Sequence, residues 1–451
     1  MDGTEQSTQF LDGLLFPKIL QSFRMAIQPS KLIIAFGAIL VIFLAGWLMD
    51  FSRTVVATPG MQGQETELQI YMSGPERLDS YIERYGDAGE NCGVFTTLWT
   101  FARGKFHGAL KSLFAFDLPG VARNVADYLN AVVWATKYHY IYSIFFCLIE
   151  LAVIAVAGGA ICRIAALQFA RNEKPGLGEA LRYSLKKFTS FFFTPLGLAI
   201  LVVIPCVPIL LLGLLANIPV AGEVVLVIFM LCALVLGAII AVVLIGTVAG
   251  FNLMFPAIAY DGADVFDAIG RAYSYVCARP WRLGFYYAVA IVYGAICYIF
   301  VRFVAFVMLW VTHALLCFAV WANSAGGQPD KIMAIWPEPS FMKLHTLSTL
   351  AANRWESFIA YIVYLIVMVV IGLLVSFITS YYFSASTVIY ALMRKKVDNT
   401  PLDDIYIYRA EPKLDEPAEP TEPTKPTKTK SSASSRKTDS KDKGDTPEPK
   451  Q

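Results

Sequence analysis

The chain has 451 residues, of which 56% are hydrophobic and 16% charged, with a formal net charge of +2. Soluble domains carry roughly 25% charged residues, so this balance excludes an ordinary soluble domain and makes lipid the natural solvent. The small net charge, with basic residues gathered at the ends of apolar runs, excludes a nucleic-acid partner, and eight cysteines without a CxxC or a Cys/His pair at ligand spacing give no metal site.

A stretch of about 18 apolar residues crosses the roughly 30 Å of bilayer hydrocarbon as a helix. The chain predicts an all-α, polytopic integral membrane bundle of about six such spans. Residues 1–31 form an amphipathic lead, with Phe16, Ile19, Leu20, Phe23 and Ile27 on one face, and residues 32–51 form TM1. Acidic residues in the lead argue against a cleaved signal peptide. Residues 52–139 read as an extracytoplasmic insertion, in which Phe95, Leu98, Trp99, Ala102, Phe106, Ala109, Leu110 and Leu113 recur at helical spacing. TM2 covers 140–162, an amphipathic helix 163–187, TM3 188–216 and TM4 223–256. A second amphipathic helix at 257–282 leads into TM5, 283–322. A 323–356 loop, TM6 at 357–393, a juxtamembrane segment 394–410 and a disordered tail 411–451 complete the chain. The tail is Pro, Glu, Lys, Thr and Ser with too few apolar residues to offset the entropy of ordering.

The stretch from Leu283 to Trp321 is about 58 Å long as one straight helix, enough for two spans. No Gly, Pro or polar turn near Arg302 would reverse it, and a seventh span would put Arg394-Lys395-Lys396 on the opposite side from the other basic clusters. One long helix and six spans therefore place every basic cluster in the cytoplasm, together with both termini. The expected location is a bacterial cytoplasmic membrane. The insertion, the outer end of TM5 and the 323–356 loop then form a small helical cap, and Cys92 and Cys317 share its compartment, leaving open whether they pair.

Each span that leaves the cytoplasm follows an amphipathic segment, so the chain reads as three units of surface helix plus transmembrane hairpin. Pro256, Asp261, Asp267-Ala268-Ile269, Arg271-Ala272 and Ser274 resemble the pattern that precedes a span in uncharacterised bacterial multi-pass families related to the membrane domain of glycerophosphodiester phosphodiesterases. The resemblance covers about residues 140 to 320. It implies a membrane bundle without hydrolase chemistry, since no soluble stretch accommodates the barrel of about 250 residues that would carry it.

Glu150 is the sharpest intramembrane anomaly, because a carboxylate in hydrocarbon is costly unless paired or hydrated. Arg302, about 28 Å beyond Leu283, is its natural counter-charge, and Asn252 near the inner end of TM4 can bond across the bundle. These three residues form the candidate intramembrane polar site. Asp261, Asp264 and Asp267 suit helix capping by Asp264 and an Asp267–Arg271 pair better than metal binding. Gly176-Leu177-Gly178 lacks the strand of a dinucleotide fingerprint, and no cofactor is implied. With no catalytic constellation, the sequence favours a non-enzymatic scaffold or assembly factor whose partners are the bilayer and proteins at the cap and tail. The alternative is a small-solute or ion transporter using Glu150 and a TM3 broken by Pro195, Pro205 and Pro208.

Overall fold

The computed structural model describes residues 16–60, 63–86, 90–321, 331–341, 344 and 353–406. The expected disordered tail, the first half of the amphipathic lead and most of the 323–356 loop lie outside them. A 3-10 turn, Phe16–Leu20, runs into α1, Gln21–Ala26. Gln28 is extended, and Pro29 opens α2, Pro29–Met49, which is TM1; proline suits a first helical turn because its missing N–H has no partner there.

At the other end of TM1 comes a departure from the expected purely helical cap. Strands β1 (Val55–Gly60), β2 (Gly63–Thr66) and β3 (Glu90–Cys92) form an antiparallel sheet ordered β2-β1-β3, with α3 (Glu67–Ser73) and α4 (Leu78–Tyr85) between β2 and β3. The β-branched pair Val55 and Val56 suits a strand, and both bury against Leu68, Leu78, Tyr81 and Trp134. Helices α5 (Val94–Phe114) and α6 (Leu118–Tyr138) follow as a hairpin. The start of α5 is capped from a distance. Asp50, at the end of TM1, accepts from the Phe95 and Thr96 amides at 2.8 and 2.9 Å, so a carboxylate meets the positive end of a helix.

His139 separates α6 from α7 (Tyr140–Arg171), which is TM2. Then come α8 (Leu177–Lys186), α9 (Phe188–Leu215, TM3), α10 (Ala221–Asp261, TM4), α11 (Val265–Ala278), α12 (Pro280–Ala319, TM5), the short α13 (Lys331–Ile335) and α14 (Arg354–Val397, TM6). Among the described residues six helices are long and apolar enough to span a membrane, and the protein is an all-α polytopic bundle. TM5 is a single helix of 40 residues. TM4, TM5 and TM6 are each about 60 Å long, twice the hydrocarbon thickness, and their surplus explains why the helices overrun the apolar runs in sequence.

The packed core lies toward the ends bearing the basic clusters, called the basic face below. Buried residues concentrate in 155–168 of TM2, 253–260 of TM4 and 376–394 of TM6. These returning spans meet one another there: Arg163 of TM2 donates to the Ala259 carbonyl of TM4 at 2.9 Å, and Phe383 of TM6 lies against Phe255 of TM4 and Gly158 of TM2. Each surface helix sits on the returning span of the preceding unit. Ser184 of α8 donates to the Ala155 and Val156 carbonyls of TM2 at 3.0 and 2.7 Å. Tyr273 of α11 donates to Val243 of TM4 at 2.9 Å. The relation closes cyclically, because Ser380 of TM6 donates to Ala26 of α1 at 2.8 Å. Glycine makes two of these approaches close: a side chain at Gly159 would meet Ser184 and Phe191, and one at Gly246 would meet Tyr273.

Candidate functional site

Glu150, Arg302 and Asn252 do not come together. Arg302, buried on TM5, donates from Nε and Nη2 to the Phe341 carbonyl at 3.1 and 2.8 Å, and from Nη1 to Tyr298 Oη and His107 Nε2, both at 2.9 Å. A guanidinium can only donate, so His107 Nε2 accepts, and its Nδ1, 2.8 Å from the Arg103 carbonyl, carries the proton. The expected Glu150–Arg302 pair is replaced by this clamp, because α5 delivers an imidazole to Arg302 that no local pattern announces. Glu150 lies near Tyr128 of α6, whose hydroxyl is held above its ordinary pKa by burial and by that carboxylate. Asn252 Oδ1 accepts from Tyr382, joining TM4 to TM6.

The aspartates at the end of TM4 act in ion pairs. Asp267 pairs with Arg271 at 3.0 Å. Asp264 precedes α11 but makes no side-chain cap, and lies instead 3.3 Å from Lys187 Nζ. Its carboxylate is thus taken by a cation from another unit. Asp261 is the centre of a denser arrangement. Its carboxylate is 3.1 Å from Arg271 Nη1 and 3.2 Å from Arg394 Nε, and it accepts from Tyr390. Its side chain is 6% exposed and that of Arg394 10%, so the pair sits where desolvation is costly and every lone pair matters.

A strap from Asp398 to Tyr406 lies over this cluster. Arg394 donates to the Asp404 carboxylate at 2.9 Å, Tyr275 donates to Asp398, and Tyr260 donates to the Leu402 carbonyl. The Tyr406 amide donates back to Tyr260 at 2.9 Å, and Arg163 donates to the Tyr406 carbonyl at 2.9 Å. The Arg163 guanidinium also faces the Tyr183 ring, 4.5 Å from its centroid. Burial pushes the Tyr183 hydroxyl up to about 12, the neighbouring Arg163 opposing the shift. One residue from each returning span, Arg163, Tyr260 and Arg394, therefore meets the same strap.

Lys31 forms a second polar centre that the sequence hides among the basic residues flanking TM1. It is fully buried, and its Nζ donates to Gln168 Oε1 of TM2 at 3.0 Å and to Ser384 Oγ of TM6 at 3.4 Å. No described carboxylate pairs with it. An ammonium buried with only neutral partners is energetically exposed, and Gln168, the one polar residue between Leu167 and Phe169, is the sole local hint of its partner.

On the opposite side, His139 Nδ1 is 3.2 Å from Thr54 Oγ1 and its Nε2 is 3.3 Å from Glu67 Oε2. The order of groups is that of a nucleophile, base and acid. However, the imidazole–carboxylate contact lacks hydrogen-bond geometry, and Glu67 also accepts the Val56 amide at 2.6 Å. This set ties β1, α3 and the α6–TM2 junction together. No family model matches the chain, and no curated protein or solved structure matches it. The site is therefore read from its own geometry, which offers buried, fixed polar links between spans.

Proposed function

We propose that the protein is a non-enzymatic membrane scaffold or assembly factor of a bacterial cytoplasmic membrane, with both termini in the cytoplasm. The supporting observation is the TM3–TM4 hairpin. In the most apolar stretch of each span, 6% of TM3 and 0% of TM4 is buried, against 17–33% in the other four. Leu210 and Leu214 on TM3 and Val227, Leu231 and Val248 on TM4 are 66–78% exposed. The hairpin is held at its basic end and offers the rest of its surface to lipid or to another membrane helix, where packing and hydrogen bonding decide association. TM3 stays helical through Pro195, Pro205 and Pro208, which removes the broken-helix support for a transporter. The basic clusters at one end of all six spans support the orientation. We extend the proposal to kinship with the multi-pass families that the Pro256–Ser274 pattern resembles, since the pairs of Asp261 and Asp267 with Arg271 give that stretch a structural role.

Photo-crosslinking residues at Leu210 and Leu231 test the reading in native membranes. The expected result is capture of one protein that also co-purifies in fixed stoichiometry. Capture of lipid alone, together with solute flux by the purified protein in liposomes, would overturn it. A reporter after Met393 found outside the cell would overturn the topology.

A further inference from the structure

A cavity of about 160 Å³ opens beside the buried Lys31 centre, between α1 and the end of TM2. It is lined by Gln21, Arg24, Met25, Gln168, Phe169 and Asn172. No carboxylate is among them; Glu173 follows Asn172 in the chain but does not line the space. The space holds several waters and is large enough for a phosphate group.

The orientation of Gln168 is dictated by chemistry. Lys31 Nζ can only donate, so Gln168 must turn Oε1 toward it and its amide NH₂ away. Gln168 is 7% exposed, lines the cavity, and its Nε2 has no hydrogen-bond partner among the described residues. The Gln168 amide N–H donors thus reach this space with no protein acceptor among the described residues, open to water or to a ligand that supplies one. Arg24 lines the same space and makes no ion pair or hydrogen bond among the described residues. Lys18 stands nearby, 6.0 Å from the centroid of the Phe169 ring.

The carbonyl end of TM2 opposes an anion, since a helix C-terminus carries about half a negative charge. The Arg24 guanidinium, with Lys18 nearby, outweighs it. The cavity also lies at the depth where basic side chains flank the spans, which is where lipid phosphates stand.

We propose that this cavity binds a phosphate group that carries no cation of its own, with the Gln168 amide and the Arg24 guanidinium as donors and Lys31 holding the Gln168 amide in place. A lipid headgroup and free phosphate share this chemistry, and the experiment separates them. The full chain is purified in nonionic detergent, and its thermal unfolding is followed with phosphatidylglycerol, with phosphatidylcholine, and with inorganic phosphate. A phosphatidylglycerol-specific rise in Tm identifies a headgroup site, whereas an equal rise with inorganic phosphate identifies a free-phosphate site. Either rise disappears in Arg24→Gln and in Gln168→Glu. The second substitution gives Lys31 a carboxylate partner, so without ligand it unfolds no earlier than the wild type, separating loss of binding from loss of fold. Should it fail to fold, Arg24→Gln carries the test, because Arg24 is exposed and without described partners. The same rise in both variants as in the wild type, an equal rise with phosphatidylcholine, or no rise with any of the three overturns the proposal.

Discussion

Arg394 Nε lies 3.2 Å from Asp261 Oδ1, a nearly dry ion pair without hydrogen-bond geometry that joins the last turn of TM6 to the last residue of TM4. Tyr390 and Arg271 complete the aspartate's surroundings, and Arg394 is bonded in turn to Asp404 of the strap. The pair joins the second and third units at the point where all three returning spans converge.

Replacing Asp261 with alanine leaves Arg394 with Asp404 as its remaining acidic partner. The expected loss is about 1–3 kcal/mol, that of buried groups left unpaired rather than of a stranded charge. Arg394→Ala costs a comparable amount, since Asp261 keeps Arg271, and the double substitution costs less than the sum of the two because their shared contact is lost only once. Thermal unfolding of the purified variants measures all three; strict additivity would show that the two residues act independently.

The strap makes a prediction about chain length. Ending the chain after Val397 removes the groups that Arg163, Tyr260, Tyr275 and Arg394 bond, whereas ending it after Tyr406 retains them. Only the shorter chain should lose folded protein in a detergent-stability assay. Equal stability of the two would mean that the strap contributes nothing.

Gly159 tests the seating of α8 on TM2. Gly159→Leu forces Ser184 and Phe191 aside and should destabilise by roughly 1–3 kcal/mol or more. Gly213→Ala and Gly237→Ala, where nothing lies within 4 Å of the added carbon, should leave unfolding unchanged. The comparison is made on one set of thermal curves, and a neutral Gly159→Leu would refute the close approach.

The clamp on Arg302 predicts the behaviour of the α5–α6 hairpin. Arg302→Gln removes the guanidinium that His107 and the Phe341 carbonyl share, at a cost of about 1–3 kcal/mol for the buried groups left unpaired. Protease cleavage near the hairpin turn, where Phe116 is 92% exposed, should accelerate in this variant. A His107→Leu, Arg302→Gln double-mutant cycle with no coupling would show that the hairpin is held elsewhere.

The spans were legible because long apolar runs have few other uses, and α1, α8 and α11 were legible from their one-sided spacing. The sheet was not. Val55–Gly60 is short and ends in Pro59-Gly60, while Gly63–Thr66 and Glu90–Cys92 are mostly polar, so none shows sustained alternation. Lys31 resembles any basic residue before a span until Gln168 and Ser384 are brought to it by packing. Asp261 and Arg394 are likewise distant in sequence, and their meeting depends on how three helix ends converge. The intramembrane candidates show the same boundary from the other side: Asn252 does bond across the bundle to Tyr382, but Arg302 takes its partners from α5 and the 331–341 segment rather than from Glu150.

The cyclic seating of surface helices on returning spans also orders the protein's birth. α1 leaves the ribosome first, yet the hydroxyl that holds its last residue, that of Ser380, belongs to the final span. Lys31 likewise awaits Ser384. Units two and three can dock on what precedes them as they emerge, but the first must wait in the bilayer, half-seated, until the sixth span is threaded. A nascent chain arrested before TM6 therefore leaves α1 unseated and Lys31 with Gln168 alone.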